Sequence, residues 1–179
     1  MEYFRLRADK RIIKPLIPIS LPKEYKYHLT FEDFSVMEEA ISAYYNYKEE
    51  PIWCDFVFRP LLMISNKVKQ ALENIIAEEN EKLIFLLPDS VKPEDISADM
   101  LQALWVPYVE ASDFIHEDTV TDGTGLIKKL IIDNQKSEER DILRASLRAE
   151  EIWVFSRRAV EAVLAVAPVG ALFEPVECR

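Results

Sequence analysis

The sequence contains few glycines, cysteines and histidines, and each shortage excludes a class of site. Only three glycines occur among 179 residues, whereas phosphate-binding loops and dinucleotide fingerprints need several glycines at close spacing. Two cysteines and two histidines are present, and none of the four lies at a zinc-like spacing from another. The sequence therefore predicts no cofactor, no metal site and no disulfide framework.

Long uncharged runs are also missing. No uncharged stretch approaches the roughly 18 residues that a membrane span needs, and residues 1–7 carry charges where a secretory signal would be apolar. Cys54 and Cys178 lie far apart in the sequence, as expected of reduced thiols in the cytosol. We expect a cytoplasmic protein that does not cross a membrane.

The remaining composition is that of a folded protein. Hydrophobic residues make up 49% of the chain and charged residues 30%, which is more apolar than disordered chains are. A length of 179 residues fits one domain at about 100–200 residues per domain. We therefore expect residues 1–179 to form a single α+β domain, a mixed sheet with three or four helices packed around it.

Two stretches of the chain, residues 52–88 and 151–176, share a strand–helix–strand pattern. Ser65, after the apolar run Leu61–Ile64, is the predicted N-cap of one helix, and Ser156, after Ile152–Phe155, that of the other. A short strand follows each helix and ends at a proline, Pro88 or Pro175. When the two serines are aligned, the apolar faces of the helices coincide. Either the unit is repeated, or a common arrangement occurs twice by chance.

The other segments give weaker patterns. Residues 1–50 are predicted to be a basic, proline-punctuated extended segment, or an edge strand, followed by a helix from Phe34 to Glu50. Trp105–Val109 is typical of a strand interrupted by proline, and Leu126–Ile132 of a strand after a turn. Ser137, followed by two glutamates, predicts the start of a short helix that ends at Arg148.

The negative charge is confined to one part of the chain. The formal net charge is −10, and residues 73–122 contain 13 acidic and 2 basic residues, while the other 129 residues contain 19 acidic and 20 basic ones. Such a protein is a poor general binder of nucleic acid, because phosphate contacts require clustered lysine and arginine. The run is typical of a solvated face, or it forms a recognition surface that steers a basic protein partner.

For the second interpretation we predict a partner-binding set of acidic residues with aromatic anchors beside them. No residue of this set is predicted to be catalytic. Its members are Glu94, Asp95, Asp99, Trp105, Tyr108, Glu110, Asp113, Glu117 and Asp118.

The hydrophobic pattern resembles a family of bacterial immunity proteins that neutralise polymorphic toxins, the type known as immunity protein eleven. The resemblance lies in Phe58–Pro88, a strand, serine, amphipathic helix and strand, and in Glu151–Val176, where Ile152-Trp153-Val154-Phe155-Ser156 precedes a helix and Gly170-Ala171-Leu172-Phe173 follows it. The resemblance implies a cytosolic α+β protein that is not an enzyme and binds a cognate toxin. It provides no catalytic residue.

Two other functions are compatible with the sequence. A small enzyme would use Cys54, or a carboxylate pair, together with His28 or His116 as the base. A regulatory or structural homodimer subunit would use the tyrosine-rich predicted helix Val36–Tyr47 as its interface.

Overall fold

The computed structural model describes residues 1–12, 42–43, 52, 54–58, 61–76, 84–86, 89–90, 104–147 and 150–179. Within these ranges the fold is α+β, with thirteen short strands and two helices. In chain order the elements are β1 (Tyr3–Ala8), β2 (Ser42–Ala43), β3 (Phe56–Val57), β4 (Met63–Ser65), α1 (Asn66–Ile76), β5 (Ile84–Leu86), β6 (Asp89–Ser90), β7 (Leu104–Tyr108), β8 (Val120–Thr121), β9 (Ile127–Lys129), β10 (Ile131–Ile132), β11 (Ile142–Leu147), β12 (Glu150–Ser156), α2 (Arg157–Ala165) and β13 (Ala171–Cys178).

The larger sheet has five strands in the order β10-β13-β1-β12-β11. It is mixed, because β10 pairs parallel with β13 and the other pairs are antiparallel. The first strand of the chain lies at its centre, where Phe4 pairs with Phe155 on one side and with Pro175 on the other. Tyr3–Ala8 of the predicted extended segment or edge strand is therefore a central strand, and residues 13–41 lie outside the described residues.

The second sheet has four antiparallel strands in the order β3-β4-β7-β5. Pro107 lies within β7 opposite Phe85, so the proline does not interrupt this strand. Two further pairs are separate, the parallel pair β2–β6 and the antiparallel pair β8–β9.

Both sheets contain the same strand–helix–strand connection. In the four-stranded sheet β4 and β5, which flank α1 in the chain, lie on either side of β7. In the five-stranded sheet β12 and β13, which flank α2, lie on either side of β1. The two helices pack against each other. The predicted similarity of the two units therefore extends to strand order. β1 holds the position in the five-stranded sheet that β7 holds in the four-stranded sheet.

β12 is buried on both faces of the five-stranded sheet, which explains its continuous apolar run. Trp153 and Phe155 belong to a core cluster that also holds residues of both helices, whereas Ile152 and Val154 belong to a cluster on the opposite face. The first cluster comprises Leu6, Phe56, Leu62, Ile64, Val68, Leu72, Ile75, Val109, Ile142, Trp153, Phe155, Ala159, Val160 and Val163. The second comprises Tyr3, Phe114, Ile127, Leu130, Ile132, Leu143, Ala145, Ile152 and Val154.

The number of helices differs from the prediction, because the described residues contain two rather than three or four. The predicted helix Ser137–Arg148 is instead a turn followed by β11. Ser137 donates its hydroxyl to the carbonyl of Asn134 rather than capping a helix, and Glu138 and Glu139 have positive φ angles. Most of the predicted helix Phe34–Glu50 lies outside the described residues, and Ser42–Ala43 within it form β2.

Both helices begin directly after the predicted serines, but only one serine acts as a cap. The Ser156 hydroxyl accepts a hydrogen bond from the Ala159 amide at 3.2 Å and donates one to Asp141. The Ser65 hydroxyl is buried and has no hydrogen-bond partner among the described residues. The strand β13 also continues through Pro175, so the predicted end of that strand was too early. Across the described ranges, neither helix has the length and apolar character that crossing a bilayer demands.

Candidate functional site

The acidic segment, residues 104–122, contains five carboxylates and no lysine or arginine. After β7 the chain pairs with both edge strands of the five-stranded sheet, β11 and β10. Ala111 forms a bridge to Arg144 of β11, and Ile115 forms one to Ile132 of β10. Phe114, which is fully buried between these bridges, fixes the segment on the second core cluster.

A cleft of about 540 Å³ lies between the acidic segment and the end of β11. This volume is in the range of pockets that take small ligands or whole side chains. Among the residues that the structure describes, no lysine or arginine lines the cleft. Its lining residues are Ala111, Ser112, Asp113, Ile115, His116, Glu117, Thr119, Thr121, Ala145, Ser146 and Leu147.

The carboxylates of the acidic segment are not equally available to a partner. Asp113 pairs with Lys136 at 3.1 Å, and Asp118 pairs with Arg179. Asp122 accepts hydrogen bonds from the amides of Thr124 and Leu126 at 2.8 and 3.0 Å, which closes the β8–β9 turn. In the part of the chain that the structure describes, Glu110 and Glu117 are exposed and form no ion pair.

The electrostatic field beside the cleft favours a cation. The hydrogen bond and the charge of Asp113 raise the pKa of the Lys136 ammonium, and the charges of Asp133 and Glu117 raise it further. An ammonium group is thus already stabilised next to two of the lining carboxylates.

The one histidine of the described chain lines the cleft. His116 accepts a hydrogen bond on Nδ1 from the Asp118 amide at 3.2 Å. A neutral His116 ring with Nδ1 accepting carries its proton on Nε2, so that nitrogen donates rather than accepts. The Ser112 hydroxyl, also in the lining, is buried and has no hydrogen-bond partner. The two groups therefore do not form the hydrogen-bonded nucleophile and base that acyl transfer requires.

Cys54 has the surroundings of an unreactive thiol. Its side chain is 4% exposed, and Sγ lies 3.6 Å from the Ile52 carbonyl oxygen, to which it donates. Burial raises the pKa of the Cys54 thiol, and the charges of Asp55 and Asp9 raise it further. A nucleophilic cysteine needs the opposite environment, because the thiolate is the reactive form.

No metal centre is found among the residues that the structure describes, where no three histidine, cysteine, aspartate or glutamate side chains come together. His28 lies outside the described residues, as do Glu94, Asp95 and Asp99 of the predicted partner-binding set.

The two predicted aromatic anchors lie away from the cleft and contact basic side chains of this chain. Tyr108 is 5% exposed, and the Arg144 guanidinium carbon lies 5.3 Å from its ring centroid. Trp105 is half-buried, with Lys69 Nζ 4.5 Å from its ring centroid. Of the nine predicted residues, the structure brings together Asp113 and Glu117 in the cleft lining, with Glu110 and Asp118 exposed on the same segment.

Arg144 positions the acidic segment, and it was not among the predicted site residues. Its side chain is 3% exposed, and its Nε donates to Glu151 at 2.6 Å. Nη1 donates to the carbonyl of Val109 at 3.1 Å, at the point where the chain leaves β7. The only sequence signal is an arginine at an inward position of an otherwise apolar strand, which requires a buried carboxylate or carbonyl partner.

No protein-family model matches the sequence, and a comparison with curated proteins finds no match. The family resemblance of the two strand–helix–strand units therefore stays a prediction.

Proposed function

We propose that this protein is a non-enzymatic binding module that recognises a basic protein through its acidic segment. The observation that carries the proposal is the placement of that segment. Five carboxylates without a lysine or arginine between them are held along the two edge strands of the five-stranded sheet, next to a cleft whose described lining contains no lysine or arginine.

The resemblance to toxin immunity proteins supplies the kind of partner. A cytoplasmic immunity protein neutralises its toxin by occupying a surface that the toxin needs. A nuclease toxin fits best, because its substrate site must be positive to hold phosphate. An acidic surface would be steered to that site over a long range, which speeds association at low ionic strength.

The test begins with capture of partners from an extract of the native host on the immobilised full chain. The bound protein is then identified, purified and tested for binding to variants. We expect capture at low salt, release at high salt, and loss of binding in the double variant Glu110→Lys/Glu117→Lys. Glu161→Lys, on the exposed face of α2, is the matched control and should bind normally.

Two results contradict the proposal. One is a captured partner without a basic surface whose binding is insensitive to salt. The other is equal binding by the double variant and the unmodified protein, since reversal of two exposed charges in a true contact surface must weaken a salt-dependent complex.

A further inference from the structure

We propose that the cleft beside β11 anchors one lysine or arginine side chain of the partner protein. The inference rests on the proposed function and adds a defined binding pocket to it.

The shape of the cleft suits a long side chain with an apolar stem and a charged end. Ala145 and Leu147 of β11 and Ile115 of the acidic segment give it an apolar wall, which continues into the second core cluster. Lysine and arginine place their methylene stems along such surfaces and keep the charged group at the opening. Asp113 and Glu117, both exposed, are the carboxylates of this opening.

The charge around the cleft is complementary to that occupant. Glu117 forms no ion pair with any described residue. The Lys136 ammonium lies 3.1 Å from the Asp113 carboxylate, and the negative charge of Glu117 also stabilises it. A cation from the partner would neutralise Glu117, the lining carboxylate that does not pair with Lys136.

The number of carboxylates favours a single side chain over a free polyamine. Two carboxylates line the cleft, and one of them already shares its charge with Lys136. A polyamine with three or four ammonium groups would need more carboxylates within reach. One ammonium or guanidinium on the partner's surface matches the remaining negative charge, that of Glu117.

The experiment is an NMR titration of the ¹⁵N-labelled full chain with three capped tripeptides, Gly-Lys-Gly, Gly-Arg-Gly and Gly-norleucine-Gly. We expect the two cationic peptides to shift the amides of Ser112, Ile115 and Leu147, and the norleucine peptide to leave them unchanged. Glu117→Gln should weaken binding of the cationic peptides about threefold, the effect of one partly exposed ion pair. Glu161→Gln is the control and should not change it.

A second pair of variants separates the shape of the cleft from its charge. Ala111→Trp fills the cleft at an exposed lining position without changing a charge, and should abolish the peptide shifts. Ala165→Trp, exposed at the end of α2, should retain them. Thr121→Trp fills the cleft from β8 and replaces Ala111→Trp if that variant does not fold.

Three outcomes would overturn the inference: equal shifts with the norleucine peptide, cationic shifts that persist in the folded cleft-filling variant, or spermidine that binds the cleft more tightly than the peptides. None of these affects the proposed function, which fails separately if no salt-sensitive basic partner is captured. If the partner binds Ala111→Trp as well as the unmodified chain but does not bind Glu110→Lys/Glu117→Lys, the acidic surface stands as the binding site and the cleft does not anchor a side chain.

Discussion

Gly170 is the residue at which the backbone tolerates no side chain. Its φ of +106° lies in the region that favours glycine. An added Cβ would lie 2.8 Å from the Phe56 carbonyl oxygen and 2.9 Å from Cys54 Cβ. The same contact holds the two units together, since the Asp55 and Phe56 amides donate to the Val169 carbonyl at 2.7 and 3.2 Å and the Asp55 carboxylate accepts from the Val169 amide at 2.7 Å.

We therefore expect Gly170→Ala to lower the free energy of unfolding by about 2–3 kcal/mol, the combined effect of an unfavourable φ and an overpacked contact. Gly123→Ala is the matched control, because nothing lies within 4 Å of its added Cβ, and it should change stability by less than about 0.5 kcal/mol. Urea unfolding of both variants measures the difference. Equal midpoints would show that the contact at Gly170 is not tight.

The two helix-starting serines make a second pair of matched positions. Ser156→Ala removes the acceptor for the Ala159 amide and the donor to buried Asp141, and should cost about 1–2 kcal/mol. Ser65→Ala removes a buried hydroxyl without a partner, and should be neutral or slightly stabilising. Thermal unfolding of the two variants tests this, and a larger loss from Ser65→Ala would contradict the assignment of caps.

Asp122 links stability to acid pH. The hydrogen bond from the Thr124 hydroxyl, together with amides of the same turn, lowers the pKa of the Asp122 carboxyl below its ordinary 3.8. Because the folded-state pKa is the lower one, the stabilisation is full above the ordinary value and disappears as the pH falls through the folded-state pKa.

Asp122→Asn should therefore be less stable than the unmodified chain at pH 7, and the gap should narrow below about pH 4. Urea unfolding at several pH values measures that gap. A gap that stays constant down to pH 2 would mean that the turn does not depend on the ionised carboxylate.

At the scale of elements, the central position of β1 has the largest consequence. This strand pairs with β12 and β13, more than 140 positions away in the chain, and buries Tyr3 and Leu6 in the two different core clusters. A chain that starts at Asp9 would leave both neighbours with unpaired edges, so we expect it to lose cooperative unfolding.

A synthetic peptide of residues 1–12 should restore the native circular dichroism of that shortened chain in a saturable way. The same peptide with Leu6→Asp is the control and should not, because a charge would enter the first core cluster. A shortened chain that keeps a native spectrum and a cooperative transition without any peptide would contradict the central role of β1.

The elements that sequence reasoning located are those whose pattern is local. β12, α2 and β13 follow from an apolar run, a capping serine and a helical face, all within residues 150–178. β11 was missed because Ser137 and the following glutamates resemble a helix start. Residues 142–145 are instead buried on both faces of a sheet, because they pair with β12.

Long-range pairing also limited what could be predicted of the site. The acidic composition of residues 104–122 is visible in the sequence, but the cleft is not, because Ala145 and Leu147 reach it only through the register of β11. The sequence also could not show that Tyr108 stacks with Arg144 or that Asp118 pairs with Arg179.

At the scale of the whole molecule, the fold combines two similar units with an uneven distribution of charge. The helices and one face of each sheet share one core cluster, and the acidic segment pairs with both edge strands of the five-stranded sheet. That arrangement leaves the negative charge on a surface supported by rigid elements, which is what a binding site with little rearrangement requires.

The most direct test of this account is the salt dependence of partner binding, measured by calorimetry on the purified partner. For the unmodified chain we predict that the dissociation constant rises steeply between low and high salt. For Glu110→Gln/Glu117→Gln, which removes the two exposed carboxylates without ion pairs in the described chain, we predict weaker binding at low salt and a shallower slope. Identical dissociation constants and slopes for the two proteins would contradict the claim that the acidic segment is the binding surface.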